Sequence, residues 1–402
     1  MEIHPKLPLS SAGVVVTPES NALWKRAGAV AGPLMVSVLA TTQLTACFGS
    51  VSARPIPSPT PSSSDSGNLT LEAHDWISFG AHGVGNLGCS DQFVSWTTGA
   101  KPIAVTTRND EVQIARQGAS QGKTVAVARH GGTLTDAVPI TGSWLIYLEY
   151  RQHLQSSSAD FWYLNAVDWT TGRLVELASA TKGPALQELP WYDAADGKAA
   201  WDQLDSRGMA TLRIHDFSTG KSTTLALPSD MYPVQPAIAG KSVVFVDNST
   251  DPGRKYEDFS GRHGSLRRLD LTTGSVVTLS SDPTAWVPRV GGNEVVWTVA
   301  SSSTSVVSAV QLAGGTVAIL GGSNPITPQT NGSVVVWYDS ATLHFMLFRL
   351  ADKRTVQLQV GSWPDIRSVF SLCGSRLFFV LPTAVDAGVS TIRYVDLPLT
   401  ST

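Results

Sequence analysis

The stretch that decides the fold is Gln235–Phe245, which reads QPAIAGKSVVF, and Leu269–Gly274 follows it with LDLTTG. The first stretch has a short apolar run, a glycine and a second run rich in β-branched residues, which is the pattern of two strands joined by a tight turn. The second stretch predicts the end of a strand in a hairpin, because Asp and Thr cap turns and Gly tolerates the positive φ that such turns need. Together they predict consecutive antiparallel strands.

The glycine-centred unit recurs along the chain. A turn glycine before a hydrophobic strand is found at Gly142, Gly197, Gly240, Gly292, Gly332 and Gly374, with gaps of 55, 43, 52, 40 and 42 residues. Five residues after the glycine stands an aromatic side chain in all copies but one, in which Asp202 holds that place and the tryptophan comes one residue earlier, at Trp201. These gaps bracket the roughly 40–50 residues of a four-stranded propeller blade.

The recurrence therefore predicts an all-β chain that folds as a β-propeller with four-stranded antiparallel blades. We expect seven blades, with six as the alternative, at residues 71–132, 133–181, 183–229, 230–281, 282–321, 322–360 and 361–399. The first of these copies is the least regular, and its strand-like runs are Phe93–Trp96, Ile103–Thr106, Glu111–Ile114 and Lys123–Val127.

The last copy is incomplete, because no outer strand follows Thr391–Leu397. An unpaired strand edge promotes aggregation, so we expect another segment to supply the missing strand. The run Asp75–Phe79 has the composition of a strand and is predicted to close the ring from the N-terminal side.

One phrase of the repeat points to a family. Proline, then glycine four residues later, then two valines and an aromatic residue occur at Pro236–Phe245, Pro288–Trp297 and Pro328–Trp337. With the Asp-Leu-Thr-Thr-Gly hairpin, this phrase resembles the TolB-like β-propeller repeat family over most of residues 133–399. The resemblance implies the fold and leaves the function open, because such propellers serve as binding scaffolds, enzyme subdomains and enzymes.

The N-terminal segment predicts an address outside the cytoplasm. Lys25 and Arg26 precede an apolar run that ends in LTAC at Leu44–Cys47, which is similar to the lipobox of bacterial lipoproteins. We predict a signal peptide over 1–46, a lipidated Cys47 at the head of a Ser/Pro-rich tether over 47–70, and the propeller over 71–402. The alternative is an uncleaved transmembrane anchor. The 24 residues before Lys25 are long for the N-terminal region that precedes the apolar run of a signal peptide.

The other two cysteines, Cys89 and Cys373, form an even pair in a compartment that favours disulfides. They belong to the first and the last repeat, which are neighbours in a closed ring. We therefore expect a disulfide that locks the closure, with two buried free thiols as the alternative.

Composition and motifs exclude several classes of function. The net charge of −3 without a basic stripe argues against nucleic-acid binding. The eight histidines show no metal-binding spacing, and no Gly-x-Ser-x-Gly or glycine-rich phosphate motif occurs, so we expect no metal, no cofactor and no catalytic residue. The carboxylates Asp136, Asp193 and Asp365 lie near predicted inner strands and line the axial channel or, more simply, cap turns.

The candidate binding residues lie where the copies differ. Two insertions, Arg151–Asp160 and Asn248–Gly264, lengthen loops on one face. The aromatic and basic side chains that we single out in the second insertion and at the starts of the blades are Arg254, Tyr256, Phe259, Trp191, Tyr232, Trp286 and Trp363. They form a surface for sugars or peptide side chains, or they plug the wedges between blades and the insertions are merely tolerated.

These observations predict a lipid-anchored propeller outside the cytoplasm that serves as a binding or scaffold module for a protein or an envelope glycan. Its other partner is the cell membrane, through the lipid on Cys47. The competing interpretation is a propeller enzyme that acts on glycans or small molecules at the axial mouth, and a third is an accessory subunit of an envelope complex. Polar residues converging from several inner strands would favour the enzyme.

Overall fold

A computed structural model of the protein describes residues 67–80, 83–90, 92–99, 111–135, 139–152, 159–181, 189–249, 263–300, 304–360, 369–381 and 389–399. Within these ranges the chain forms 29 strands and no helix, and so no described helix is long and apolar enough to cross a membrane.

The strands are β1 Asn68–Thr70, β2 His74–Gly80, β3 Gly83–Cys89, β4 Phe93–Gly99, β5 Glu111–Arg116, β6 Lys123–Val127, β7 Thr133–Thr135, β8 Ile140–Thr141, β9 Trp144–Gln152, β10 Ala159–Asp168, β11 Arg173–Ala180, β12 Tyr192–Ala195, β13 Lys198–Leu204, β14 Ala210–Asp216, β15 Lys221–Thr224, β16 Pro233–Ala239, β17 Ser242–Asp247, β18 Gly264–Asp270, β19 Val276–Gly291, β20 Glu294–Ala300, β21 Ser305–Gln311, β22 Ala318–Gly321, β23 Pro325–Thr330, β24 Val334–Asp339, β25 His344–Arg349, β26 Arg354–Gln359, β27 Phe370–Cys373, β28 Arg376–Leu381 and β29 Val389–Asp396.

Three of the sheets have four antiparallel strands, such as β3-β4-β5-β6 and β12-β13-β14-β15, and two sheets have five strands. One sheet has seven strands, because the 16-residue strand β19 pairs with β18 through its first half and with β20 through its second half. Strands β12, β16, β19, β23, β27 and β3 lie side by side in that order, as expected of inner strands around a propeller axis. The predicted all-β propeller is therefore confirmed. The number of blades itself stays a prediction.

The N-terminal strand closes the ring as predicted. Strand β2 pairs antiparallel with β29, with Ile77 opposite Ile392, and completes the sheet β2-β29-β28-β27. Trp76 is only 3% exposed and meets Phe378 edge-on, with ring centroids 5.0 Å apart. This burial of apolar surface ties the two ends of the described chain together.

Two boundaries differ from the sequence prediction. The first strand of the least regular sheet is Gly83–Cys89, which we missed because its alternate glycines weaken the strand pattern; the run Ile103–Thr106 lies outside the described residues. In addition, Asn68–Thr70 at the end of the predicted tether forms strand β1, which pairs in parallel with β26. An outer strand offers unpaired backbone groups, and Leu69 packs against the neighbouring core, so the last tether residues join the sheet.

The repeat phrase has a structural explanation. All six turn glycines have φ between +54° and +86°, the region that a side chain makes unfavourable. The phrase's proline follows a residue with positive φ at Gln235, Val287 and Thr327, where the register of the first strand shifts by a β-bulge. Because proline has no N–H to donate to the ladder, a bulge is a position where a strand accepts it.

Candidate functional site

Several predicted site residues lie outside the described residues: the lipidation site Cys47, the binding candidates Arg254, Tyr256, Phe259 and Trp363, and the carboxylates Asp136 and Asp365. The same holds for the middle of both insertions, residues 153–158 and 250–262. The described candidates are Trp191, Asp193, Tyr232 and Trp286, and the structure gives them different environments.

Trp191 stands directly before β12 and is held there by Asp202 of the neighbouring strand β13. The Trp191 backbone N–H donates to Asp202 Oδ1 at 2.6 Å, and the Asp202 N–H donates back to the Trp191 carbonyl at 3.1 Å. The Asp202 side chain is 1% exposed. The other copies carry an aromatic residue at this position. In this copy a buried carboxylate takes its place and fixes the start of an inner strand.

The same carboxylate begins a relay from sheet to sheet. Asp202 Oδ2 accepts the backbone N–H of Gln235 on β16 at 2.8 Å, and Gln235 Oε1 in turn accepts the backbone N–H of Val287 on β19 at 2.8 Å. Gln235 and Val287 are the bulge residues, whose N–H groups have left the regular ladder. The relay therefore satisfies buried donors and sets the relative position of three consecutive inner strands.

Arg289 reaches across this relay. It lies on β19, yet its guanidinium carbon sits 5.5 Å from the centre of the Trp191 ring, beyond the intervening strand β16. Arg289 is half-buried, and burial lowers the pKa of its guanidinium while the nearby Asp193 carboxylate opposes that shift. We call Trp191, Asp193, Asp202, Gln235 and Arg289 the axial cluster. It brings aromatic, acidic and basic groups from three inner strands and from β13 to one place at the axis.

Trp286 and Tyr232 are half-buried as well, and both pack against neighbouring side chains. Trp286 meets His263 with ring centroids 5.6 Å apart, and Tyr232 packs against the apolar core that includes Val234 and Trp297. The backbone N–H of Tyr232 donates to the buried Asp247 at 3.1 Å. For Tyr232 the structure thus favours the wedge between blades over a free binding surface.

A second polar cluster was missed by the sequence analysis. Glu149, 1% exposed, accepts the backbone N–H groups of Arg129 at 2.9 Å, His130 at 2.5 Å and Gly132 at 3.2 Å. His130 Nδ1 lies 3.1 Å from Glu149 Oε2, and its ring stacks on Tyr163 at 3.7 Å. The available signal was the recurrence of an acidic residue seven places after the turn glycine, at Glu149, Asp247 and Asp339.

Cys89 of β3 and Cys373 of β27 form a disulfide, with their Cα atoms 5.9 Å apart. The bridge links the sheet that contains β3 to the sheet that β2 completes. It therefore lies at the closure of the ring, beside the N-terminal strand that performs the closure. Elsewhere in the described ranges, no three His, Cys, Asp or Glu side chains come together as metal ligands.

No protein-family model matches the chain, and no curated protein matches its sequence. Solved structures do resemble it. A structure from a study of two prolyl endopeptidases is 14% identical over 79% of this chain and 50% of the other, with a TM-score of 0.51. The acylaminoacyl peptidase of Pyrococcus horikoshii is 10% identical over 75% and 49%, with a TM-score of 0.50. TolB from Acinetobacter baumannii is 13% identical over 76% and 80%, with a TM-score of 0.41.

The chain thus spans about half the length of the two peptidase structures that it resembles. At such low identity the likeness shows a shared β-propeller fold and carries no activity from one protein to another.

Proposed function

We propose that this β-propeller is a binding or scaffold module that is lipid-anchored outside the cytoplasm and recognises a protein or an envelope glycan at its axial mouth. The lipobox-like sequence before Cys47 supports the address, and the Ser/Pro-rich segment after it supports a domain held away from the membrane.

The axial cluster is the observation that carries the binding function. An aromatic ring and a cationic fork meet at the axis, and buried hydrogen bonds through Asp202 and Gln235 hold the strands that carry them. Preorganised polar groups beside an aromatic side chain are typical of ligand sites, because little conformational entropy is lost on binding. Because polar groups from several inner strands converge here, the competing enzyme is tested beside binding.

The test is a pull-down from envelope extract together with a glycan array, using the chain from Gly67 onward. We expect a stable partner or glycan whose binding falls at least tenfold in Trp191→Ala, since loss of a central aromatic anchor commonly costs 2 kcal/mol or more. Trp144→Ala is the matched control, because Trp144 is also half-buried beneath an arginine but lies at the start of β9, in a sheet that contributes no residue to the axial cluster. Turnover of a glycan without any stable partner would contradict the proposal and favour the enzyme.

The address is tested separately by cell fractionation of the full chain. Cys47→Ser removes the only thiol that the signal sequence offers for lipidation, so the protein should leave the membrane fraction. Retention of the variant in that fraction would argue for the transmembrane anchor instead.

A further inference from the structure

We infer that the axial cluster recognises a carboxylate group of its ligand, and that Arg289 is the side chain that binds it. This inference deepens the proposed function, because it assigns a ligand chemistry to the same site. It rests on the number of hydrogen bonds that the Arg289 guanidinium makes, on its contact with the Trp191 ring, and on the hydrogen bond that already occupies the Asp193 carboxylate.

The guanidinium of Arg289 uses little of its capacity. Arginine has five N–H donors, and among the described residues the guanidinium makes one hydrogen bond, from Nη1 to the carbonyl of the adjacent Pro288 at 3.1 Å. Within the described residues, the remaining guanidinium donors keep access to solvent. An anionic ligand can therefore replace the water at these donors, and hydrogen bonds between charged groups are stronger than those between neutral ones.

The nearest carboxylate does not fill this role. Asp193 Oδ2 is engaged by the backbone N–H of Ile238 at 2.9 Å, and within the described chain no ion pair joins Asp193 to Arg289. Asp193 acts only through space, raising the pKa of Arg289 against the larger lowering effect of burial. The arginine stays charged, and its fork remains open to a second carboxylate.

Trp191 fixes the orientation of that fork. The guanidinium carbon lies 5.5 Å from the ring centre, within the range in which arginine is attracted to the face of an aromatic ring. A planar guanidinium held in this way presents its two parallel N–H groups to a planar carboxylate, and such bidentate pairs are stronger than single hydrogen bonds. Lysine offers the charge without this geometry.

The relay beneath the arginine keeps the site in place. Asp202 and Gln235 join Trp191 before β12, the first half of β16 and the second half of β19 by three hydrogen bonds of 2.6–2.8 Å. Trp191 and the part of β19 that carries Arg289 therefore cannot separate without breaking them. A carboxylate would therefore meet donors whose positions are already set, which lowers the cost of binding.

The experiment measures probe binding to the full-length protein in detergent by ligand-observed NMR. Two charged probes are used, methyl glucuronoside for a sugar carboxylate and N-acetyl-alanyl-alanine for a peptide carboxylate. Each is compared with its uncharged partner, methyl glucoside or the dipeptide amide. We expect at least one charged probe to bind about tenfold or more tightly than its partner, as hydrogen bonds to a charged group allow. The probe that binds identifies the source of the carboxylate.

Substitutions of Arg289 test whether this side chain binds the carboxylate of the probe. Arg289→Gln should abolish the preference for the charged probe and Arg289→Lys should retain a small part of it. Arg173→Gln is the control. It removes an arginine at the start of β11 that lies 5.8 Å from the centre of the Trp144 ring, and it should leave the preference for the charged probe unchanged. If Arg289→Gln fails to fold, the side-chain N–H signals of Arg289 in the wild type must shift on addition of the charged probe and stay fixed with its partner.

Equal binding of charged and uncharged probes, or a preference that survives Arg289→Gln, would overturn the inference. The proposed function is judged independently. If the pull-down captures a protein or glycan whose binding Arg289→Gln leaves unchanged, that result would support the binding function and overturn only the inferred recognition of a carboxylate.

Discussion

At the scale of single residues, buried carboxylates hold the starts of the sheets. Glu149, Asp202, Asp247 and Asp339 are each at most 3% exposed, and each accepts backbone N–H groups from the segment that leads into an inner strand. A buried carboxylate is tolerated only where hydrogen bonds replace its water, and these backbone donors do so. The acids of the repeat thus position strands, and only Asp202 also supports the candidate site.

We predict that Glu149→Gln lowers the free energy of unfolding by about 1–3 kcal/mol, because the amide nitrogen of glutamine would face donors that need an acceptor. Urea unfolding at neutral pH measures the change. Glu176→Gln is the control, since Glu176 is exposed on β11, and a change within about 0.5 kcal/mol is expected there. Equal effects of the two substitutions would show that the Glu149 hydrogen bonds contribute nothing.

At the scale of elements, the Asp-x-x-x-Gly hairpins are capped by their own side chains. In the hairpin after β18, the N–H of Gly274 donates to the Asp270 carbonyl at 2.8 Å, and Asp270 Oδ1 accepts the N–H groups of Thr272 and Thr273. The backbone hydrogen bonds from Thr273 and Thr272 lower the pKa of Asp270, and hydrogen bonds from Ser218 do the same for Asp216. Each hairpin is thus strengthened by an ionised carboxylate.

This makes the stability of the hairpins depend on pH in one direction. The folded-state pKa of Asp216 and Asp270 lies below the value of about 3.9 for an unfolded Asp, so their contribution is complete above that value and is lost as the pH falls through the folded-state pKa. The double variant Asp216→Asn/Asp270→Asn should therefore lose less stability than the wild type between pH 5 and about pH 3. Urea midpoints across this range measure it, with the exposed Asp230→Asn as control. Parallel pH profiles for the double variant and wild type would refute the prediction.

At the scale of the whole molecule, two devices close the ring at the same place. Strand β2 adds to β29 by hydrogen bonds, and the disulfide joins β3 to β27 across a sequence separation of 284 residues. The strand requires no oxidant, whereas the disulfide restricts the unfolded chain over nearly the entire propeller. The two devices therefore act on different states. Strand β2 stabilises the folded sheet, and the disulfide lowers the conformational entropy of the unfolded chain.

We predict that Cys89→Ser/Cys373→Ser still folds, because β2 remains in place, but is less stable by about 2–5 kcal/mol. Urea unfolding under non-reducing conditions measures the difference, and the wild type in reductant should match the double variant. Mass analysis of the non-reduced wild type provides the direct check. Two free thiols in the mature protein would show that the bridge does not form.

The fold could be predicted from the sequence because its signals are local and repeated. A positive-φ glycine, a β-branched run and an Asp-capped turn each depend on interactions within a few residues. Their repetition at the spacing of propeller blades indicates a β-propeller. The edge strand left unpaired at the C-terminal end likewise predicted its partner at the N-terminal end. The failures were local too: Gly83–Cys89 was missed because its glycines hide the strand, and β1 because a tether was expected.

The candidate site was predictable only in part. The position of Trp191 before its turn glycine marked it as a candidate, and Asp193 was noted among the carboxylates near inner strands. Asp202 was visible only as an exception to the repeat. Arg289 carried no signal, since it follows the proline of the repeat phrase at a position where the other copies have alanine and glutamine.

The sequence by itself thus determined the propeller class, the closure by an N-terminal strand and the turns that the repeat encodes. Only the tertiary structure decided that Arg289 of β19 meets Trp191 before β12, with β16 between them. The physical reason is distance along the chain. Turns and strands follow from interactions between near neighbours, whereas an encounter between residues 98 positions apart depends on how three inner strands are placed around a common axis.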